Sequence, residues 1–159
     1  MKNELKKNVE NLLALTPTQE GLLFHYLQDP GSRVYCEQLT LETTGPIDPA
    51  RFETAWNTVV KANEALRTVF RWEKIAQPAQ AVLKHHHVTV AFHDLSRPGE
   101  INRNNNYDNI DNDNIEEKIE KIQRRDRMQT FDLQEVPFRL ILIKISGNNH
   151  RIIISNHHI

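Results

Sequence analysis

Helical and strand periodicities alternate along this chain, which predicts an α/β protein of the α+β sandwich kind. Three observations carry that expectation. Two apolar stripes at helical spacing begin at good N-terminal caps. Several short runs alternate apolar and polar residues as half-buried strands do. Two β-prone runs near the C-terminus flank a turn of Gly147, Asn148 and Asn149. With 38% of its 159 residues hydrophobic and a mean hydropathy of −0.61, the chain suits one soluble domain, or one lobe of a larger one, with a buried core.

Thr16 and Gln19 form a capping box, and Pro17 takes the first helical position. Leu22, Leu23, Tyr26 and Leu27 carry that helix to about residue 28, where Asp29, Pro30 and Gly31 end it. Val34–Glu42 reads as a strand with Tyr35, Leu39 and Leu41 on one side and Val34, Cys36 and Thr40 on the other. Asp48 and Pro49 open a second helix, whose Phe52, Ala55, Trp56, Val59 and Val60 gather into a stripe suited to core packing. Leu66, Thr68, Phe70 and Trp72 then alternate with Arg67, Val69 and Arg71. This predicts a strand with one apolar and one cationic face, on which Arg67 points away from Phe70 and Trp72.

Short strands are expected at Ala79–Leu83 and Val88–His93. Residues 102–114 hold seven Asn, too polar a stretch to offset its ordering entropy, so a mobile surface insertion is expected there. From Asn114 a third helix places Ile115, Ile119 and Ile122 on one face, Glu116 and Glu117 at the positive end of its dipole, and Arg124, Arg125 and Arg127 toward the other end. Phe138–Ile145 and Arg151–Asn156 form the arms of an antiparallel hairpin, and His157 and His158 end the second arm.

The charge balance, 20 Lys and Arg against 21 Asp and Glu, gives no basic footprint for nucleic acid, and no Lys/Arg run suits an anionic membrane. Cys36 is the single cysteine, so no disulfide closes within the chain, and a reducing cytoplasm fits. No targeting or membrane-spanning segment is apparent. His85, His86 and His87 cannot converge on one ion from a regular strand, so they predict adventitious metal binding at most. Glu20 and His25 stand five apart on a helix, off one another's face, and make no dyad. His158, at the strand end, is the candidate base, because an imidazole titrates near neutrality. Neighbours on a strand face opposite ways, so only one of His157 and His158 meets a site. By spacing alone such a pair is more often a polar strand end than a catalytic one.

Four segments alter that weighting. Leu15-Thr16-Pro17-Thr18-Gln19-Glu20-Gly21-Leu22-Leu23-Phe24-His25 resembles the motif LTPMQEGMLFH, with Thr18 where Met is usual. Asn63-Glu64-Ala65-Leu66-Arg67-Thr68-Val69-Phe70 resembles RHExLRTxF, with Ala62 and Asn63 replacing the leading Arg and His. Phe131-Asp132-Leu133 with Pro137-Phe138-Arg139 is similar to FDLxxxPLxR, and His157-His158-Ile159 to the start of HHxxxDG. On these residues the chain resembles the condensation domains of nonribosomal peptide synthetases, from about Val9 onward and over the first third of a family member.

The resemblance implies a chloramphenicol-acetyltransferase-like fold, a V of two lobes with the site between them. This chain would supply an incomplete N-terminal lobe, over residues 15–159 and truncated within HHxxxDG. It implies that His158 is the catalytic residue that deprotonates or orients the acceptor amine, that His157 is structural, and that Arg67 pairs with the motif's Asp, four residues beyond His158. The reaction implied is peptide-bond formation between a carrier-bound acyl or peptidyl donor and an aminoacyl acceptor. Both ride on phosphopantetheine arms supplied by carrier domains of adjacent synthetase modules, and no metal or directly bound cofactor is implied. The fragment alone is expected to be inactive, and residues 1–14 to be a leader or a docking segment for an upstream synthetase subunit. An epimerization domain, a coenzyme A-dependent acyltransferase of the same superfamily and a non-catalytic docking module remain as alternatives.

Overall fold

A computed structural model describes residues 7–96 and 114–159. In chain order the elements are β1 (Val9–Ala14), α1 (Pro17–Gln28), β2 (Cys36–Thr44), α2 (Pro49–Ala62), a single 3-10 turn (Glu64–Arg67), β3 (Thr68–Arg71), β4 (Ala79–Leu83), β5 (Val90–Asp94), α3 (Ile115–Arg127), β6 (Phe138–Ser146) and β7 (Asn149–His157). They build two sheets, a three-stranded one in the order β1-β4-β3 and a four-stranded one in the order β2-β7-β6-β5. All pairings are antiparallel except that of β5 with β6. Residues 9–14, expected from the sequence to belong to a leader, form β1 and pair with β4. The expected insertion at 102–114 lies, up to residue 113, outside the described residues.

Local chemistry starts each helix where the sequence puts it. Both bonds of the Thr16–Gln19 capping box form at α1, Asp48 accepts the Arg51 N–H at α2, and Asn114 accepts the Glu116 N–H at α3. The four-stranded sheet is covered on both faces, following the period of two along β6. Leu140 and Leu142 pack with Val60 of α2, while Ile141 and Ile143 pack with Ile119 of α3 and Ile153 of β7.

Long-range contacts decide which face of one strand is covered and correct the reading of another. In β2 the apolar pair Leu39 and Leu41 is exposed, while the polar side faces α3: Gln38 donates to the Gln123 carbonyl at 3.1 Å and Thr40 accepts from the Gln123 amide at 3.0 Å. The segment expected as a strand from Leu66 instead begins with the 3-10 turn. From Thr68 both of its faces are buried, Phe70 against Leu15, Leu23, Phe131 and Leu133, and Val69 against Ala81 and Leu83. There is therefore no exposed cationic face, and Arg67 is buried, with 8% of its surface exposed.

Asp126, near the end of α3 and buried, gathers a polar network beneath the larger sheet. Its carboxylate takes the Arg139 Nε–H at 3.0 Å, the Gln38 amide at 2.8 Å and the Ser155 hydroxyl. The Arg139 guanidinium lies 3.9 Å from the centroid of the Phe131 ring and donates to the Asp126 and Gln129 carbonyls at 3.1 Å, so it clamps the exit from α3. Removing one partner of such a pair leaves an uncompensated buried charge. Asp126→Ala is accordingly expected to cost about 3 kcal/mol, read as a lowered urea midpoint. Asp126→Asn, which keeps an acceptor, should cost less, and a change below about 1 kcal/mol for the alanine variant would mean that Phe131 and the carbonyls hold Arg139 alone.

Candidate active site

The end of β7 puts its two histidines in opposite environments. His157 is 9% exposed. Its N–H donates to the Pro137 carbonyl at 3.1 Å, and its ring meets Tyr26 at 6.3 Å and Tyr35 at 6.1 Å between centroids, both edge-on. Its Nδ1 accepts the Ile159 N–H at 3.2 Å, so in this geometry the imidazole is neutral and carries its proton on Nε2. Burial, reinforced by neighbouring His158, depresses its pKa below the ordinary 6.5. Tyr26 is itself anchored by a bond to the Leu133 backbone, and burial raises its pKa.

One residue on, the His158 side chain is 63% exposed. Its backbone is nonetheless fixed, since its N–H donates to the Tyr35 carbonyl at 2.8 Å. Its Nδ1 lies 3.5 Å from a carboxylate oxygen of Glu37 on β2, which favours a proton on Nδ1 and leaves the lone pair on Nε2. Both histidines border a cleft of about 410 Å³ that opens between the two sheets, with Thr68, Phe70 and Gln80 on one wall and Phe138 and Asn156 on the other. Gln19, at the start of α1, also reaches it.

Arg67 is not part of this wall. Its neighbours Leu66 and Thr68 border the cleft, whereas its Nη1 donates to Glu10 of β1 at 2.5 Å and to the Leu83 carbonyl. The polar-face arginine expected from strand periodicity is thus corrected to a buried one paired 57 residues away. Its Nε–H is buried with no acceptor among the described residues. The structure brings His157 and His158 to the cleft but not Arg67. Sequence reasoning missed Glu37 and Tyr35, which are distant in sequence from the histidines, and saw Gln19 only as a cap.

Among the described residues no group of three or more His, Cys, Asp and Glu side chains could hold a metal ion. In the His85–His87 run, His87 lies 3.3 Å from Glu53, while burial lowers the pKa of His86. No helix among the described residues is long and apolar enough to cross a membrane.

The family model described as Condensation domain matches residues 9–159. The chain belongs to the condensation-domain family. It is 36% identical over 155 residues to a linear gramicidin synthase of Brevibacillus parabrevis, covering 97% of this chain and 3% of that protein. It is 32% identical over 155 residues to tyrocidine synthase 2 of the same organism, covering 97% of this chain and 4% of that protein. A solved structure of the first condensation domain of the CDA synthetase matches 94% of this chain with a TM-score of 0.76 at 21% identity, and the chain covers 36% of it. The starter condensation domain of rhizomide synthetase gives a TM-score of 0.76 at 19% identity, over 94% of this chain and 34% of that one. The two-sheet architecture is therefore the chloramphenicol-acetyltransferase-like fold of the N-terminal part of a condensation domain. The chain spans about a third of these solved structures and a few per cent of the synthetases it matches.

Burial of His157 has a consequence for stability. Its folded-state pKa is depressed, so as pH falls through about 6.5 the unfolded chain binds protons that the folded chain does not, and stability falls with pH. His86 and His93 are shifted the same way by burial and add to the slope. Melting temperatures measured between about pH 7.5 and about pH 5.5 should fall, and fall less steeply in His157→Gln. Parallel curves would mean that His157 is protonated as readily in the folded chain as in the unfolded one.

Proposed function

We propose that this chain supplies the catalytic histidine and one wall of the site in a condensation domain that joins a carrier-bound acyl or peptidyl donor to an aminoacyl acceptor. The observation that carries the proposal is the contrast at the end of β7, where a buried, neutral His157 lies beside an exposed His158 whose backbone is anchored and whose ring borders the cleft. The acceptor's amine nitrogen attacks the donor thioester carbonyl, a C–N bond forms, the C–S bond breaks, and the amine proton must leave. With Nδ1 toward Glu37, Nε2 of His158 takes that proton and can return it to the departing thiolate. Placement of the two tethered reactants in the cleft contributes alongside proton transfer.

His157 takes a positioning role, holding the Ile159 N–H on Nδ1. Arg67 is assigned to the Asp of HHxxxDG, and its Nε–H, without an acceptor among the described residues, supports its donating to a further carboxylate beside Glu10. The substrates are thioesters on phosphopantetheine arms, so the partners are carrier domains and adjacent modules, in the cytoplasm. A docking role, confined to residues 1–8 because 9–14 form β1, rests on the polar Lys/Asn/Glu sequence ahead of that strand. The chain alone is assigned no activity, because it spans about a third of the solved domains it matches.

The test uses the parent condensation domain with donor and acceptor loaded on their carriers, and product read by intact-protein mass spectrometry in a single turnover. His158→Ala should slow the reaction by about 100-fold or more. A rate equal to that of the parent domain would remove His158 from the role of base.

A further inference from the structure

We propose that Glu10 is a positioning residue that fixes the Arg67 guanidinium for the carboxylate of HHxxxDG; the inference rests on the assignment of Arg67 to that carboxylate. Arg67 ends the 3-10 turn and is 8% exposed. A cation at that depth must be paired, and its partner decides where its remaining N–H groups point.

The pairing is built by an irregularity in β1. Val9 stands opposite Leu83 of β4 and Asn11 opposite Val82, so Glu10 is an extra residue without a place in the ladder. Such a bulge bends its strand and re-aims a side chain. Here the Glu10 carboxylate takes an N–H of Arg67 Nη1 at 2.5 Å. The carbonyl of Leu83, the residue opposite the bulge, accepts from the same nitrogen. Both strands of the pair thus grip Arg67 at one point. Asn8 locks them together just ahead of the bulge. Its carbonyl accepts the Lys84 N–H at 2.7 Å, its Nδ2 donates to the His85 carbonyl at 2.8 Å, and its Oδ1 accepts the His85 N–H at 3.0 Å. From Asn11 to Ala14 the register is regular. The extra residue is therefore held from both sides.

Stability alone does not account for this arrangement. The Glu10 side chain is 43% exposed, and an ion pair gains little at so wet a carboxylate. What the grip does set is direction. A guanidinium is a rigid fork, so two contacts on Nη1 fix its whole plane. They leave the Nε–H, buried and without an acceptor among the described residues, for a second carboxylate, which a fork of this kind can meet bidentately. Misplacement of a group that orders a site by about 1 Å can cost orders of magnitude in rate.

The test is a double-mutant cycle on turnover in the parent domain, at a temperature where every variant is folded. Glu10→Gln keeps the shape of the side chain and removes its charge. Positioning predicts kcat lower by about tenfold at little-changed KM for the acceptor. It also predicts no further loss when Glu10→Gln is added to Arg67→Met, which places an apolar chain of similar length in the buried site. A merely structural pair predicts a lower melting temperature with kcat as in the parent domain. That result, or an equal loss of kcat with and without Arg67, would overturn the proposal. If Arg67→Met itself turns over like the parent domain, the assignment of Arg67 has failed and the role of Glu10 falls with it. If Arg67→Met is slow and Glu10→Gln is not, the role of Glu10 alone has failed. Where a variant does not fold, Glu10→Asp, whose carboxylate is one methylene short of Nη1, and Arg67→Lys, which keeps the charge and lacks the fork, take their places in the cycle under the same criteria.

Discussion

The register of β7 is the constraint on which the site depends. The strand lies between β2 and β6, so both of its edges are hydrogen-bonded and each side chain is committed to one face. Ile153 and Ser155 face α3, where Ile153 is fully buried with Ile119 and Ser155 bonds Asp126. Ile152 and Ile154 face α2. A slip of one residue would exchange these sets, burying Asn156 in place of Ser155 and His158 in place of His157. Gly147, at φ +41°, closes the connection from Ser146 to Asn149, and a register shift between Lys144 and Ser146 adjusts the pairing beside it. The core thus decides which imidazole is sealed.

The cleft in turn depends on how the smaller sheet is attached to the larger one. Phe131 and Leu133 enter the cluster formed by Leu15 and Leu23 with Phe70, and the Phe70 N–H donates to the Leu133 carbonyl at 2.8 Å. Burying side chains of this size contributes about 2 kcal/mol each, and Arg139, stacked on Phe131, ties the same segment to α3 through Asp126. The Phe-Asp-Leu segment therefore acts as a joint, holding β3 and α1 near the end of β7 while leaving the space between Phe70 and Phe138 open.

What the sequence disclosed and what it hid divide along sequence distance. The capping box of Thr16 and Gln19, the cap at Asp48, the strand at Ala79–Leu83 and the turn at Gly147 are legible because neighbouring residues specify them. At Leu39 and Leu41 alternation reports two faces without saying which is covered, and α3 covers the polar one through contacts such as Gln38 to Gln123, 85 residues apart. Arg67 misled because alternation was extended one turn too far, into a 3-10 segment whose partner Glu10 lies on another strand. The motifs located His158 and its family, whereas its neighbours Glu37 and Tyr35 come into view only once β2 is paired with β7.

Why two adjacent histidines should serve one site follows from their separate environments. If His157 were charged, its Nδ1 would carry a proton and the Ile159 N–H would lose its acceptor. Burial against Tyr26 and Tyr35 disfavours that state. Acidification therefore loosens the anchored stretch through His157. The neutrality of the buried ring is thus a condition for the geometry of the exposed one, which is why a polar residue that could not accept the Ile159 N–H would be a poor substitute at position 157.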